Sequence, residues 1–282
     1  MILRLILFIL LFVATEITFA QKLDTKEELP KQSAASKQVA TFTIEAPQLN
    51  TTKKIWLYLP KNYDATKKKY PVIYMHDAQN LFDAKTSYVG EWNVDEKLDS
   101  LNAQVIVIGI EHGGEKRLSE LSPYKNEKYG GGNADNYLDF IVTTLKPYVD
   151  KTYRTKTNAK NTAVIGSSLG GLVSYYTILK YPEVFGKAGI FSPSFWFNQE
   201  EIIELTKKTP KLKTKLYFLC GDNEGDESDK KIMIENLNKI DDLISEKRCE
   251  CNNLTKIKIV KGGQHTEKLW RDGFVKAYLW LF

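Results

Sequence analysis

The chain has 282 residues, a formal net charge of +5, 43% hydrophobic and 27% charged positions. That is an ordinary soluble composition with enough apolar residues to fill the core of one large domain. The positive excess is scattered in lysine runs such as Lys67, Lys68 and Lys69, with no arginine cluster or aromatic platform, so no nucleic-acid partner is expected.

Residues 1–20, MILRLILFILLFVATEITFA, carry one early basic residue, an apolar stretch from Leu5 to Ala14, and small residues at Thr18 and Ala20 ahead of Gln21. This is the pattern of a secretory signal, and it predicts a secreted or periplasmic protein. The apolar stretch is too short for a comfortable bilayer span and Glu16 interrupts it, so no stable membrane span is expected after signal removal. Removal takes away Arg4 and Glu16 and leaves the net charge unchanged.

Residues 21–38 are polar and lysine-rich and read as a flexible leader, with a single domain over 39–282. VATFTIEAP and KKIWLYLP read as two antiparallel strands, the second alternating Ile55, Leu57 and Leu59 against Trp56 and Tyr58. From Tyr70 the texture changes to short continuous apolar runs: YPVIYM, AQVIVIGI, TAVIG, KAGIF, KLYFLCG and TKIKIV. Runs without alternation imply strands covered on both faces, as in a parallel sheet flanked by helices. Helical periods lie between several of them. One follows Asp135 and includes Tyr137, Phe140, Ile141, Thr144, Leu145 and Tyr148; others cover Leu172–Leu179, Ile232–Ile244 and Leu269–Leu281. The alternation predicts one α/β sandwich.

Three cysteines fit no disulfide scaffold. Cys220 ends an apolar run and reads as a buried thiol, while Cys249 and Cys251 are too close for an unstrained bridge on an extended strand. Three histidines without ligand spacing predict no zinc site, and no cofactor is expected.

In VIGSSLGGL, the strand TAVIG and the helical stripe from Leu172 are so close that the turn between them must be tight. Gly166 and Gly170 flank Ser168 symmetrically, giving Gly-x-Ser-x-Gly, in which small residues let strand and helix approach while the serine occupies a strained turn. A serine needs a base to take its proton. His265, after the final strand and Gly262–Gly263, follows the order nucleophile, acid, histidine expected of such a sheet.

The acid belongs on the loop after KLYFLCG, where Asp222, Glu224, Asp226 and Asp229 compete. Glu224 is preferred, three residues past Gly221, with Asp226 next. Oxyanion donors are expected from the N–H of Leu169 and from the backbone of Ala78 or Gln79 in HDAQN. His76 reads as a structural hydrogen-bonder, and His112 as either a residue of the cleft rim or a solvent-exposed loop histidine.

Taken together, YMHDAQNLFD, GIEHGGEKRLSELSPY, YGGGNADNYLDFIVTTLKPYVDKTYRT, AVIGSSLGGLVSYYTILKYPEVFGKAGIFSPSFWF and GGQHTEKLWRDGFVKAYLWLF resemble the putative-esterase family of α/β-hydrolases. That family includes enterobactin-type siderophore esterases, feruloyl and acetyl-xylan esterases, and formylglutathione hydrolase relatives. The resemblance spans about Ala40 to Phe282. It implies a three-layer α/β-hydrolase sandwich, mainly parallel with antiparallel N-terminal strands, and a serine ester hydrolase with Ser168 as nucleophile and His265 as base. The acid position falls on Glu224, where many relatives carry aspartate, and Ala78 stands where relatives often show glycine.

The expected partner is a small-molecule or polysaccharide acyl ester. Trp92, His112, Tyr124, Phe195 and Trp196, with Phe197, are candidate walls of a sugar or aryl-acyl pocket, because flat rings offer apolar contact beside polar edges. Two rivals stand beside esterase: a serine peptidase or amidase of the same fold, and an inactive hydrolase body retained for binding.

Overall fold

The computed structural model describes residues 34–247 and 254–282, which fall within one compact unit, Gln32–Phe282. The expected signal at 1–20, the first part of the leader, and Cys249 and Cys251 lie outside the described residues. The last residues of the leader are held to the body. The N–H of Ala34 donates to Asp83 and that of Ser36 to Asp95, because buried carboxylates take whatever donors reach them.

Strands β1 (Val39–Ala46) and β2 (Thr51–Tyr58) pair antiparallel, and β2 pairs antiparallel with β4 (Ile106–Ile110). The rest of the sheet is parallel: β3 (Val72–His76), β5 (Thr162–Ser167), β6 (Lys187–Phe191), β7 (Lys215–Gly221) and β8 (Thr255–Val260). The order across the sheet is β1-β2-β4-β3-β5-β6-β7-β8. All five residues of β3 and of β4 are buried, as their unbroken apolar sequences require. Strand β2 divides its side chains, Ile55 and Leu57 entering one core and Trp56 and Tyr58 the other.

Strand β8 departs from the expectation of cover on both faces. It is the edge, half exposed along its length, and its lysines 256 and 258 face outward, which discourages pairing with another chain.

Helices α1 (Val94–Ser100) and α8 (Glu267–Leu281) pack their apolar residues into the core that contains Trp56, Phe82 and Phe191. The opposite face carries α3 (Ala134–Asp139), α4 (Lys146–Thr152), α5 (Leu169–Lys180), α6 (Gln199–Lys208) and α7 (Glu227–Ser245). The short α2 (Arg117–Leu121) lies before them in the chain. This is the three-layer sandwich that the motifs imply.

The stripe after Asp135 is helical throughout, but its middle, Phe140–Leu145, is a π-helix. The wider turn keeps Phe140, Ile141 and Leu145 buried while the chain continues into α4. Cys220 is a buried free thiol, and burial pushes it up to about 12, far from a reactive thiolate.

Candidate active site

Every parallel strand delivers its C-terminal end to the same edge of the sheet. Ser168 sits there between β5 and α5 with φ 58° and ψ −123°, a conformation few side-chain-bearing residues adopt. Its N–H donates to the Phe191 carbonyl at 2.9 Å, and its own carbonyl accepts from the N–H of Leu172 and of Ser194. The flanking glycines are needed for space: a Cβ on Gly166 would stand 2.5 Å from the Gly170 carbonyl oxygen. Ser168 is therefore clamped in the strained turn that its sequence spacing predicts.

His265 lies beyond β8, and its Nδ1 is 2.8 Å from Glu224 Oε2. Glu224 is only 3% exposed. Its other oxygen accepts from the Gly221 N–H and from Ser192 Oγ, both at 2.6 Å, and Ser192 Oγ in turn accepts from Trp270 Nε1 at 2.8 Å. The edge of Trp270 also meets the His265 ring, with centroids 5.0 Å apart and planes at 89°. With its acceptors facing donors, the carboxylate favours the tautomer in which Nδ1 carries hydrogen and Nε2 is left as acceptor.

The other acids of that loop do other work. Asp226 Oδ1 accepts from the N–H and Oγ of Ser228 at the start of α7, and Asp222 Oδ1 accepts from the N–H of Gly262. The side chain of Asp229 lies outside the described residues.

Ser168, Glu224 and His265 line one cavity of about 740 Å³. The hydroxyl of Ser168 does not reach the imidazole in this conformation; its neighbour is Ser194 Oγ at 3.2 Å. Ser194 is buried and lines the same cavity. No motif marks Ser192 and Ser194, whose only signal in the chain is that FSPS comes at the end of β6 much as GSSLG comes at the end of β5.

Among the expected aromatic walls, Trp196 lines the cavity, 48% exposed, with Tyr129 edge-on to it at 5.9 Å. Trp92 and Phe195 are placed in the core instead. Trp92 stacks on Phe191 at 5.4 Å with planes 6° apart, and Phe195 meets the buried Tyr175 edge-on. Their large apolar faces are satisfied by those rings and leave none for a ligand. Tyr124 packs edge-on to Tyr176, and its N–H donates to Asn198, so it too stands off the cavity wall. His112 turns toward its own loop, its Nδ1 accepting from the Gly114 N–H, and it does not line the cavity. Burial lowers its basicity.

The segment expected to supply oxyanion donors turns at Asp77, which adopts the left-handed conformation at φ 57°. Burial would raise the Asp77 carboxyl; the Arg117 guanidinium more than offsets this, donating from Nε and Nη2 at 2.7 and 2.8 Å, and holds it below the ordinary carboxylate range. Asp77 Oδ2 lies close against Gly170, two residues past Ser168, which brings this turn to the start of α5. Ala78 is fully buried and Gln79 accepts through its side chain from the His112 N–H. Leu169 begins α5, whose first amides have no partner within the helix. His76 is buried, with Nδ1 2.8 Å from Tyr137 Oη, and burial lowers it to about 4.

A family model described as Putative esterase matches residues 46–281. An endo-1,4-beta-xylanase/feruloyl esterase of Xylanibacter ruminicola is 27% identical over 198 residues, covering 67% of this chain and 25% of that protein. The ferri-bacillibactin esterase BesA of Bacillus subtilis is 29% identical over 153 residues, covering 49% of this chain and 52% of its own. Among solved structures, the BES protein of Bacillus cereus superposes with a TM-score of 0.69 at 19% identity, over 90% of this chain and 98% of that one. That likeness is one of fold.

Proposed function

The chain belongs to the Putative esterase family and is an esterase, and from that premise we propose that it cleaves carboxylic esters through Ser168, His265 and Glu224. The observation that carries this reading is the buried Glu224 carboxylate on His265 Nδ1, beside a cavity that Ser168 shares. The Ser168 side chain turns from Ser194 toward His265 Nε2 when substrate enters, since such hydrogen bonds tighten in the complex.

His265 Nε2 takes the hydroxyl proton as Ser168 Oγ attacks the carbonyl carbon. The carbonyl oxygen gathers negative charge, and the N–H of Leu169 and the backbone of Ala78 or Gln79 stabilise it. The tetrahedral intermediate collapses, the alcohol leaves with the proton from His265, and the acyl group stays on Ser168. Water then attacks the acyl-enzyme, giving its proton to His265; collapse releases the acid and returns that proton to Ser168. Glu224 orients the imidazole throughout and stabilises its charged form.

The substrate class that fits best is an ester whose acid part carries an aromatic ring, such as a ferulate on a carbohydrate. Trp196, Tyr129 and Met233 give the cavity flat and polarizable apolar surface, and no lysine or arginine is among its described lining residues. A ferric siderophore ester, the other class that the motifs imply, is a bulky anion that such a lining does little to attract. The pattern of residues 1–20 supports export, for which a mature N-terminus at Gln21 is the check.

Labelling with a fluorophosphonate followed by peptide mapping tests the central claim. Modification on Ser168 is expected; an unlabelled Ser168, beside a labelled reference hydrolase, removes it as nucleophile. Steady-state rates on methyl ferulate and on a catechoyl-serine ester then separate the two substrate classes.

A further inference from the structure

Away from the cavity, the chain brings three acids together where it enters α1. One carboxylate oxygen from each of Glu91, Asp95 and Glu96 lies within 4.8 Å of the others. These are not surface acids sharing a solvated patch: Glu91 is 5% exposed and Asp95 not at all. Each of the three also keeps one buried oxygen that no hydrogen-bond donor outside the cluster reaches. A buried carboxylate in that condition needs a counter-charge or a proton.

The surrounding donors are already used and leave those oxygens open. Ser36 N–H serves the other oxygen of Asp95 at 2.6 Å. Arg271 donates from Nη1 to the Glu91 carbonyl, not to its carboxylate, at 3.1 Å. Among the described residues, no lysine or arginine forms an ion pair with any of the three carboxylates. A non-acidic group, the Ser36 hydroxyl, is likewise buried without a partner on the segment that touches Asp95.

We propose that Glu91, Asp95 and Glu96 form a binding site for one calcium ion. Two oxygens on opposite sides of such an ion stand about 4.6–5.2 Å apart, so the spacing admits it. An all-oxygen donor set with three carboxylates selects a hard cation over zinc. Water or the Ser36 hydroxyl completes the shell. The ion pins the loop that follows β3, because Trp92 and Val94 are hydrogen-bonded back to Asn80 and Leu81 within it. It also ties the incoming chain at Ser36 to α1. The rival means of neutralising the cluster is protonation: burial, then the nearby Glu96 and Asp83, push Glu91 up to about 7.

The experiment uses the full chain freed of metal with a chelator. Calcium at about a hundredfold excess over its dissociation constant is expected to raise the unfolding midpoint by roughly 5–10 °C. Terbium is expected to give emission sensitised through Trp92, beside Glu91, and calcium to displace it. In the double variant Glu91→Gln, Glu96→Gln both responses vanish, while the metal-free midpoint stays level or rises because repulsion is relieved. A parent that shows neither response overturns the site and leaves a protonated cluster. A folded variant that keeps the full response also overturns it, and an equal midpoint rise with magnesium overturns calcium as the occupant. Should the variant fail to fold, the terbium displacement in the parent still decides the question.

Discussion

Two histidines flank the Ser168 turn, and they are opposite in almost every physical respect. His265 has a side chain 35% exposed to the cavity and a buried carboxylate on Nδ1. His76 is sealed beneath Gly166 and Gly170, has a phenol on Nδ1, and leaves Nε2 without a partner. Burial holds His76 neutral down to about pH 4. In the proposed mechanism, the neighbour on Nδ1 and the access to Nε2 are what select His265 over His76 as the base. Nearness to Ser168 alone would not, since His76 packs against the same turn.

The sharpest way to break that contrast is to remove each ring. In the proposed mechanism, His265→Gln lowers kcat for an aryl ester by about 10⁴-fold or more, whereas His76→Gln changes it by no more than about threefold. Comparable losses from both variants, measured with matched folded fractions, would sink the distinction.

Next in size is the carboxylate. Glu224→Gln is expected to reduce kcat by about 10³–10⁴-fold, because an amide favours the wrong tautomer of His265 and cannot stabilise its charged form. Asp226→Asn should leave kcat within about twofold, since asparagine caps α7 as well as aspartate does. If Asp226→Asn proves the more damaging, the acid has been misassigned.

Stability against pH sharpens the other half. The unfolded His76 imidazole protonates near 6.5 and the folded one near 4. Between those values the unfolded chain binds more protons, so this contribution rises with pH and is lost as pH falls. From pH 7 to pH 5 the parent is expected to lose about 2 kcal/mol that His76→Gln does not lose. Urea midpoints of both proteins at the two pH values measure the difference, and parallel slopes would refute it.

The smallest effect concerns the cavity wall. Trp196→Ala should lower kcat/KM about tenfold for methyl ferulate, from loss of a ring contact worth about 1.4 kcal/mol, with little change for a short alkyl acetate. An equal loss on both substrates would mean that Trp196 shapes the protein and does not read the acyl group.

Much of the fold is legible along the chain because its signals are local. Apolar runs with no alternation mark the strands of the sheet interior, and GSSLG marks a tight turn because only small residues allow a strand and a helix to meet there. TKIKIV shows the limit of that rule. It reads as apolar, yet whether a strand is covered or an edge depends on which strand arrives beside it, and among the described residues none pairs with the far side of β8. The aromatic residues show the same limit: Trp92 and Trp196 have equal claim to a pocket wall by residue type, and only packing assigns one to the core.

The sequence by itself determined a mainly parallel α/β sheet, a strained serine after one strand, and a histidine loop after the last, since each follows from short-range periodicity and small-residue spacing. Spacing and resemblance favour Glu224 among the four nearby acids, but tertiary structure alone decided that it meets His265, that Ser192 and Trp270 support it, and that Glu91, Asp95 and Glu96 are buried together. These are matters of burial and of donors brought from distant positions. A carboxylate's environment depends on the side chains that surround it in space, and chain order records only those beside it.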